Sequence, residues 1–332
     1  MITTALLTMG GIALLMGIIL SIAYLKLAVK PNPKEEAIRK LLPGANCGAC
    51  GFPGCDMYAE KLSKGEASID GCKAIGNEVR EKIAEIIGVE VKPTKPMIAT
   101  LICQGGRDIC PEHFNYDGVD SCRAAVLLHG GDKGCPFGCI GLGDCERVCP
   151  FNAIRMGNNG LPIINPDKCT GCGICVDECP KGVLKLIPKD KLVYLACNSQ
   201  DRGKDVKSVC KLGCIGCTIC IKVCPYDALR MEGNLPVMDF EKCTDCGICV
   251  HKCPTKSFVD RAPSRPYAII TPECDGCGEC VKVCQFKAIE GESGKRHRVI
   301  RDRCIGCGEC VKVCKPNAIT MAGALAYQRE AA

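Results

Sequence analysis

The sequence predicts an α+β chain: one N-terminal transmembrane helix, a small four-cysteine domain, then tandem modules built on one repeated unit. Three observations predict it. Residues 2–25, "ITTALLTMGGIALLMGIILSIAYL", hold no charged side chain. The 332 residues include 33 cysteines, no Trp and only 4% aromatics. The cysteines also recur in near-copies: "CIGCTICIKVCP" from Cys214, "CTDCGICVHKCP" from Cys243, "CDGCGECVKVCQ" from Cys274 and "CIGCGECVKVCK" from Cys304.

Sulfur this dense has three uses. Disulfides suit small secreted domains. Zinc sites set two C-x2-C pairs far apart. Iron–sulfur clusters take C-x2-C-x2-C-x3-C-P, with the fourth cysteine ligating the partner cluster of a pair. The third use alone accounts for tight runs that occur in pairs and close on proline, so the modules are two-cluster, ferredoxin-like units. A chain so poor in large rings must fix its interior by something other than side chains. Thiolate ligands stay reduced, which places the soluble part in a cytoplasm. The formal charge of +6 does not indicate a nucleic-acid partner. A [4Fe–4S] core with four thiolates carries about −2, and eight of them take the total to roughly −10.

The apolar stretch is long enough as a helix to cross a hydrocarbon core of about 30 Å. A cleaved signal peptide needs a basic start. Here the basic residues Lys26, Lys30, Lys34, Arg39 and Lys40 follow the apolar run. That order predicts a retained anchor over 1–28 with its C-terminal side in the cytoplasm. An uncharged single helix offers no ion pathway.

The next domain spans 29–92. Its ligand set is Cys47, Cys50, Cys55 and Cys72, in "GANCGACGFPGC" and beyond. Glycines let the backbone wrap closely round an inorganic core. "NEVREKIAEII" at 77–87 reads as a helix, with Glu78 and Lys82 at i,i+4.

Internal repetition organises the rest. "AIRMGNNGLPII", "ALRMEGNLPVM" and "AIEGESGKRHRVI" each join two cysteine runs. Each reads as a β-hairpin with a Gly/Asn/Ser turn. The predicted modules are 135–188, 211–262 and 267–320. Segments 93–134 and 189–210 read as connectors.

Cysteines two residues apart can each face one corner of a cubane, and the x3 step carries the fourth to the other cluster. In the second module Cys214, Cys217, Cys220 and Cys253 form one predicted set, and Cys243, Cys246, Cys249 and Cys224 the other. In the third, Cys274, Cys277, Cys280 and Cys314 stand against Cys304, Cys307, Cys310 and Cys284. The first module is irregular: "CPFGCIGLGDCERVCP". Its predicted sets are Cys135, Cys139, Cys145 and Cys179, and Cys169, Cys172, Cys175 and Cys149. That makes seven [4Fe–4S] clusters. Five cysteines remain. Cys103, Cys122, Cys197 and Cys210 are the favoured eighth set, with Cys110 spare. Another choice of four, or no cluster there, stays open.

The anchor, "LLPGANCGACGFPGC", and "CPFGCIGLGDCERVCPFNAI" followed by tandem ferredoxin units together resemble the B subunit of the Rnf complex. The resemblance covers essentially the whole chain. It implies a membrane-bound ferredoxin:NAD oxidoreductase whose electron flow is coupled to Na⁺ or H⁺ transport. The expected partners are soluble reduced ferredoxin and the other membrane and peripheral subunits. The matching positions begin with Cys47, Cys50, Cys55 and Cys72. A polyferredoxin feeding a hydrogenase or other reductase is the alternative reading, and a structural zinc protein the one from another class.

No G-x-G-x-x-G stands between a strand and a helix, so the NAD site is expected on another chain. His113, His129, His251 and His297 are scattered and read as packing or surface residues. "KRHR" at 295–298, with Arg301 and Arg303, is the sharpest basic cluster. It reads first as a solvated hairpin tip and second as a docking patch for an acidic ferredoxin.

Overall fold

The computed structural model describes residues 2–27 and 32–323, with side chains over 9–26 and 32–323. It divides into two compact units, Met1–Lys92 and Pro93–Ala332.

In the first unit, α1 covers Ile2–Leu27. Its window Met9–Lys26 is long and apolar enough to cross a membrane and has none of its surface buried. Lys30, one of the basic residues behind the predicted anchor, lies outside the described residues. Asn32 caps α2 (Pro33–Leu41) by accepting the Lys34 N–H at 3.1 Å, with Pro33 at the first helical position. Next come α3 (Cys55–Ser63) and α4 (Asn77–Ile87). The Lys82–Glu78 pair lies across one turn of α4 at 2.6 Å. Gly88, at φ 78°, ends that helix as glycine does in a left-handed cap. Ile38, Tyr58, Leu62 and Ile83 are at most 1% exposed where the three helices meet.

The second unit repeats one plan three times. The first copy runs β1 (Met97–Leu101), α5 (Cys122–Val126), α6 (Asp144–Arg147), β2 (Ile154–Met156), β3 (Pro162–Ile164), α7 (Ile174–Glu178) and β4 (Leu184–Pro188). The second runs β5 (Val193–Leu195), α8 (Gly203–Val209), α9 (Ile219–Lys222), β6 (Leu229–Glu232), β7 (Leu235–Met238), α10 (Ile248–Lys252) and β8 (Phe258–Asp260). The third runs β9 (Tyr267–Ile270), α11 (Glu279–Val283), β10 (Ile289–Glu290), β11 (Arg298–Val299), α12 (Glu309–Lys312) and β12 (Ile319–Ala322).

Each copy has an inner antiparallel hairpin between its cysteine runs: β2–β3, β6–β7 and β10–β11. Each also has an outer antiparallel pair joining its two ends: β1–β4, β5–β8 and β9–β12. The outer pairs move the boundaries. Segments 93–134 and 189–210, expected as connectors, carry the first strand of the module that follows. The first two copies also share a core, in which Ile98 and Ile187 pack with Tyr194 and Ala196. Arg261 ties them further, donating to Thr100 Oγ1 at 3.1 Å and lying 4.5 Å over the Tyr194 ring.

Candidate metal centres

In the first unit, Cys55 opens α3 and Cys72 follows a 3₁₀ turn at Ile69–Gly71. The Cys55 N–H donates to Asn46 Oδ1 at 2.8 Å. The buried Tyr58 hydroxyl accepts the Cys72 N–H at 3.1 Å and donates to Ser68 O at 2.8 Å. Burial, and then the neighbouring thiols of Cys50, Cys47 and Cys55, push the Cys72 thiol up. Cys47, Cys50 and Cys55 thus lie within electrostatic reach of Cys72.

In the second unit, six one-turn helices carry the third cysteine of each run. Each is entered through a left-handed residue: Gly143, Gly173, Thr218, Gly247, Gly278 or Gly308. The last cysteine of a run then leaves for the other half of the module. It accepts an N–H from four residues on: Ala153 to Cys149 at 3.4 Å, Ser257 to Cys253 at 3.3 Å, Ala288 to Cys284 at 3.3 Å and Ala318 to Cys314 at 3.2 Å.

The crossing is visible in the cavities. One is lined by Cys284, Cys304, Cys307 and Cys310, with Ile305 and Met321 as apolar walls. Burial and then Cys307, Cys304 and Cys284 push Cys310 up to about 12. Cys220 is raised to about 12 by burial and by Cys214, Cys217 and Cys253. Cys249 is raised by burial and by Cys246, Cys243, Cys220 and Cys224. Cys175 is raised by burial and by Cys172, Cys169, Cys145 and Cys149. Cys314 packs in one core group with Cys274 and Cys280, and Cys277 acts on Cys280.

The first module departs from the expected pairing. A second cavity is lined by Cys122, Cys139, Cys145 and Cys179. Cys122, expected in the eighth set, takes the place expected for Cys135. The sequence holds the reason. "GCPFGCIGLGDC" from 134 aligns with "VCKLGCIGCTIC" from 209, and Leu142 stands where Cys217 stands. Cys122, at the start of α5, lines the cavity instead, and the backbone N–H groups of Asp144 and Leu142 point at its sulfur.

Cys135 turns the other way, toward Cys110, Cys103 and Cys197, and burial with those neighbours raises it to about 12. Cys210 joins them: a methyl on Gly105 would lie 3.2 Å from Cys110 Cβ, 3.5 Å from Cys210 Sγ and 3.8 Å from Cys103 Sγ. Cys110, read as spare, is thus buried inside a nest of five thiols.

These donor sets suit a cage. Thiols raised this far stay protonated at neutral pH without a cationic core to neutralise them.

The basic cluster is partnered within its own module. Lys295 pairs with Glu292 at 2.6 Å and Arg298 with Glu290 at 3.2 Å, while Arg296 donates to Ile270 O at 3.1 Å. Arg301 lies 4.2 Å over the Tyr267 ring. His297 is buried, with Nδ1 3.9 Å from Cys274 Sγ.

Family comparisons match these regions. A model described as "Putative Fe-S cluster" covers residues 42–74. "4Fe-4S dicluster domain" models cover 138–183 and 213–257, 268–321, and 168–229. The chain is 44% identical to the B subunit of the Na(+)-translocating ferredoxin:NAD(+) oxidoreductase complex of Acetobacterium woodii, over 74% of each chain. It is 40% identical to the B subunit of the ion-translocating oxidoreductase complex of Methanosarcina acetivorans, over 75% of this chain and 95% of that one. It is 41% identical to the B subunit of the proton-translocating ferredoxin:NAD(+) oxidoreductase complex of Clostridium ljungdahlii, over 75% and 89%. A chain of a formate dehydrogenase–heterodisulfide reductase–formylmethanofuran dehydrogenase complex from Methanospirillum hungatei matches at 24% identity over 55% of this chain and 72% of that one, with a TM-score of 0.25, too low to bear on the fold.

Proposed function

The chain belongs to the B-subunit family of ion-translocating ferredoxin:NAD(+) oxidoreductase (Rnf) complexes, as a multi-cluster electron-transfer protein, and from that premise we propose what it carries and where. It takes electrons from soluble reduced ferredoxin and passes them through [4Fe–4S] clusters to the other subunits of its complex. Seven sets of four cysteines hold clusters, and an eighth lies in the nest between the first two modules. The first-module set is Cys122, Cys139, Cys145 and Cys179.

The observation that carries this reading is the pair of cavities ringed by four cysteines each, one crossing from the opposite half of its module. The chain's residues orient sulfurs, exclude water with apolar walls and aim N–H donors at the sulfurs. The bound clusters supply the one-electron chemistry.

Helix α1 and the membrane-complex relatives point to membrane anchoring. The basic residues after the helix put the two folded units on the cytoplasmic side. With no charge within its apolar run, α1 holds the protein in place and carries no ion. The relatives' names include both Na⁺ and proton translocation.

The test is anaerobic purification of the full chain. About four irons and four sulfides per site are expected, with brown colour bleached by reduced ferredoxin. A colourless, iron-free and folded chain would overturn the reading.

A further inference from the structure

A group of sulfurs outside the seven four-cysteine sets remains to be accounted for. Cys103, Cys110 and Cys135 lie before residue 138, outside every matched dicluster segment, while Cys197 and Cys210 lie within the match at 168–229. They come from both of the first two modules, yet they share one nest. Two further observations point to an anionic group inside it. Lys133 is 5% exposed and its ammonium has no hydrogen-bond partner. That ammonium acts on Cys110, Cys139 and Cys210. A buried cation without a partner costs several kcal/mol unless a compensating charge lies close. A thiolate-bound cluster of net charge about −2 is such a charge.

Four of five sulfurs must be chosen, and the internal repeat chooses them. Cys103 in "LICQ" matches Cys197 in "LACN", and Cys135 matches Cys210 one x3 step before Cys139 and Cys214. Each half thus gives two sulfurs. Cys135, Cys197 and Cys210 each accept an N–H from two residues on, from Phe137, Ser199 and Leu212. Cys72, Cys214 and Cys243 in the main sets do the same. Cys110 does not: its sulfur takes the N–H of Cys135.

We propose that Cys103, Cys135, Cys197 and Cys210 hold a [4Fe–4S] cluster that bridges the first two modules, with Lys133 as its fixed counter-charge and Cys110 as a packed thiol that does not ligate. This deepens the proposed function and rests on it. Position makes the site a bridge. The Cys214 N–H donates to Cys197 Sγ at 3.2 Å, so the nest abuts the set of Cys214, Cys217, Cys220 and Cys253. Cys103 acts directly on Cys139, so it also abuts the set of Cys122, Cys139, Cys145 and Cys179. One electron enters from a reduced neighbour on one side and leaves to an oxidised neighbour on the other, with no bond made or broken.

The experiment uses the full chain purified without air. Iron and sulfide are counted, and reduction midpoints are followed by electron paramagnetic resonance. Cys135→Ser and Cys197→Ser should each lose about four irons, and Cys110→Ser none. Lys133→Met should keep its iron and lower one or two midpoints, those of the bridge and of the Cys139 set it also faces. Full iron in Cys135→Ser overturns the site. Loss in Cys110→Ser with retention in Cys197→Ser overturns the ligand choice. Unmoved midpoints in Lys133→Met overturn the counter-charge. Should the two ligand variants fail to fold, Cys110→Ser and Lys133→Met still decide. An iron-free parent chain would sink the proposed function itself, whereas a loaded parent with equally loaded ligand variants sinks only the bridge.

Discussion

The Asp144 carboxylate accepts the backbone N–H of Arg123 at 3.1 Å, and so fastens the loop carrying Cys122 onto the run carrying Cys139 and Cys145. The Ser121 hydroxyl donates to the same oxygen at 3.0 Å, so both neighbours of Cys122 are held. Arg147 pairs with the other carboxylate oxygen. Asp144 is 6% exposed, so these bonds are sheltered from water. Asp144→Ala should therefore free Cys122, at a cost of about 1–3 kcal/mol. The expected result is a chain short of about four irons. Asp144→Asn keeps an acceptor and should retain more of them. Full iron in Asp144→Ala would remove the fastening role.

Much of this was legible in the sequence. The Gly/Asn/Ser turns give the inner hairpins, and the x2 and x3 spacing is the source of the expected crossing sets. Cys122 escaped because spacing was counted along one run, whereas its partner position is a missing cysteine at Leu142. The alignment of the two runs was the available signal. The outer strands escaped for another reason. Met97 pairs with Pro188 and Val193 with Asp260. Strands of three to five residues paired so far along the chain leave little local pattern. Reading a module from cysteine to cysteine cuts them off.

Asp245 marks a place where the repeat changes its solution. Gly306 sits in the same slot of another run at φ 71°, and a methyl there would lie 2.1 Å from Pro266 O. Asp245 is left-handed too, at φ 55°, yet its side chain is 0% exposed and accepts the N–H groups of Leu192 at 2.9 Å and Val193 at 2.7 Å. One slot thus demands no side chain, and the other uses one to hold the start of β5. Asp245→Gly should lose those bonds and destabilise by about 1–3 kcal/mol. Gly306→Asp should be worse, because it meets backbone. The rate of colour loss in denaturant ranks the two, and a Gly306→Asp chain as durable as the parent would refute the comparison.

Tyr58 does for the first unit what Asp144 does for the second. Its hydroxyl joins the Cys72 N–H to the carbonyls of Ser68 and Ile69. Tyr58→Phe keeps the buried ring and removes the oxygen, leaving one donor and two acceptors short of a partner. A loss of about 1–3 kcal/mol is expected. Oxygen-driven loss of the Cys47, Cys50, Cys55 and Cys72 cluster should quicken, while the signals of the second unit keep their stability. Equal loss from both units would argue against a local role.

The Cys253 sulfur has polar company that its counterparts lack. It receives the Ser257 N–H and lies 3.7 Å from Thr255 Oγ1, which shares a 2.7 Å hydrogen bond with Ser257 Oγ. At the position of Ser257 the other five runs place Ala153, Val183, Ala228, Ala288 and Ala318. Burial acts to raise the Cys253 thiol, but the donors of Ser257 and Thr255 outweigh it and leave the thiol lowered. Donors that favour negative sulfur also favour the reduced, more negative cluster. The set of Cys214, Cys217, Cys220 and Cys253 should therefore accept electrons more readily than its partner sets. The Ser257 hydroxyl donates to Leu212 O at 2.9 Å, so the single Thr255 hydroxyl proton is shared between Ser257 Oγ and Cys253 Sγ. Thr255→Val preserves shape and removes that shared donor, worth at most about 1 kcal/mol at the sulfur. That corresponds to at most about 40 mV for a one-electron couple, so one midpoint should fall by up to that amount while iron content stays unchanged. A redox titration of the full chain reads it, and a midpoint that stays put or rises would show that the hydroxyl does not act on the sulfur.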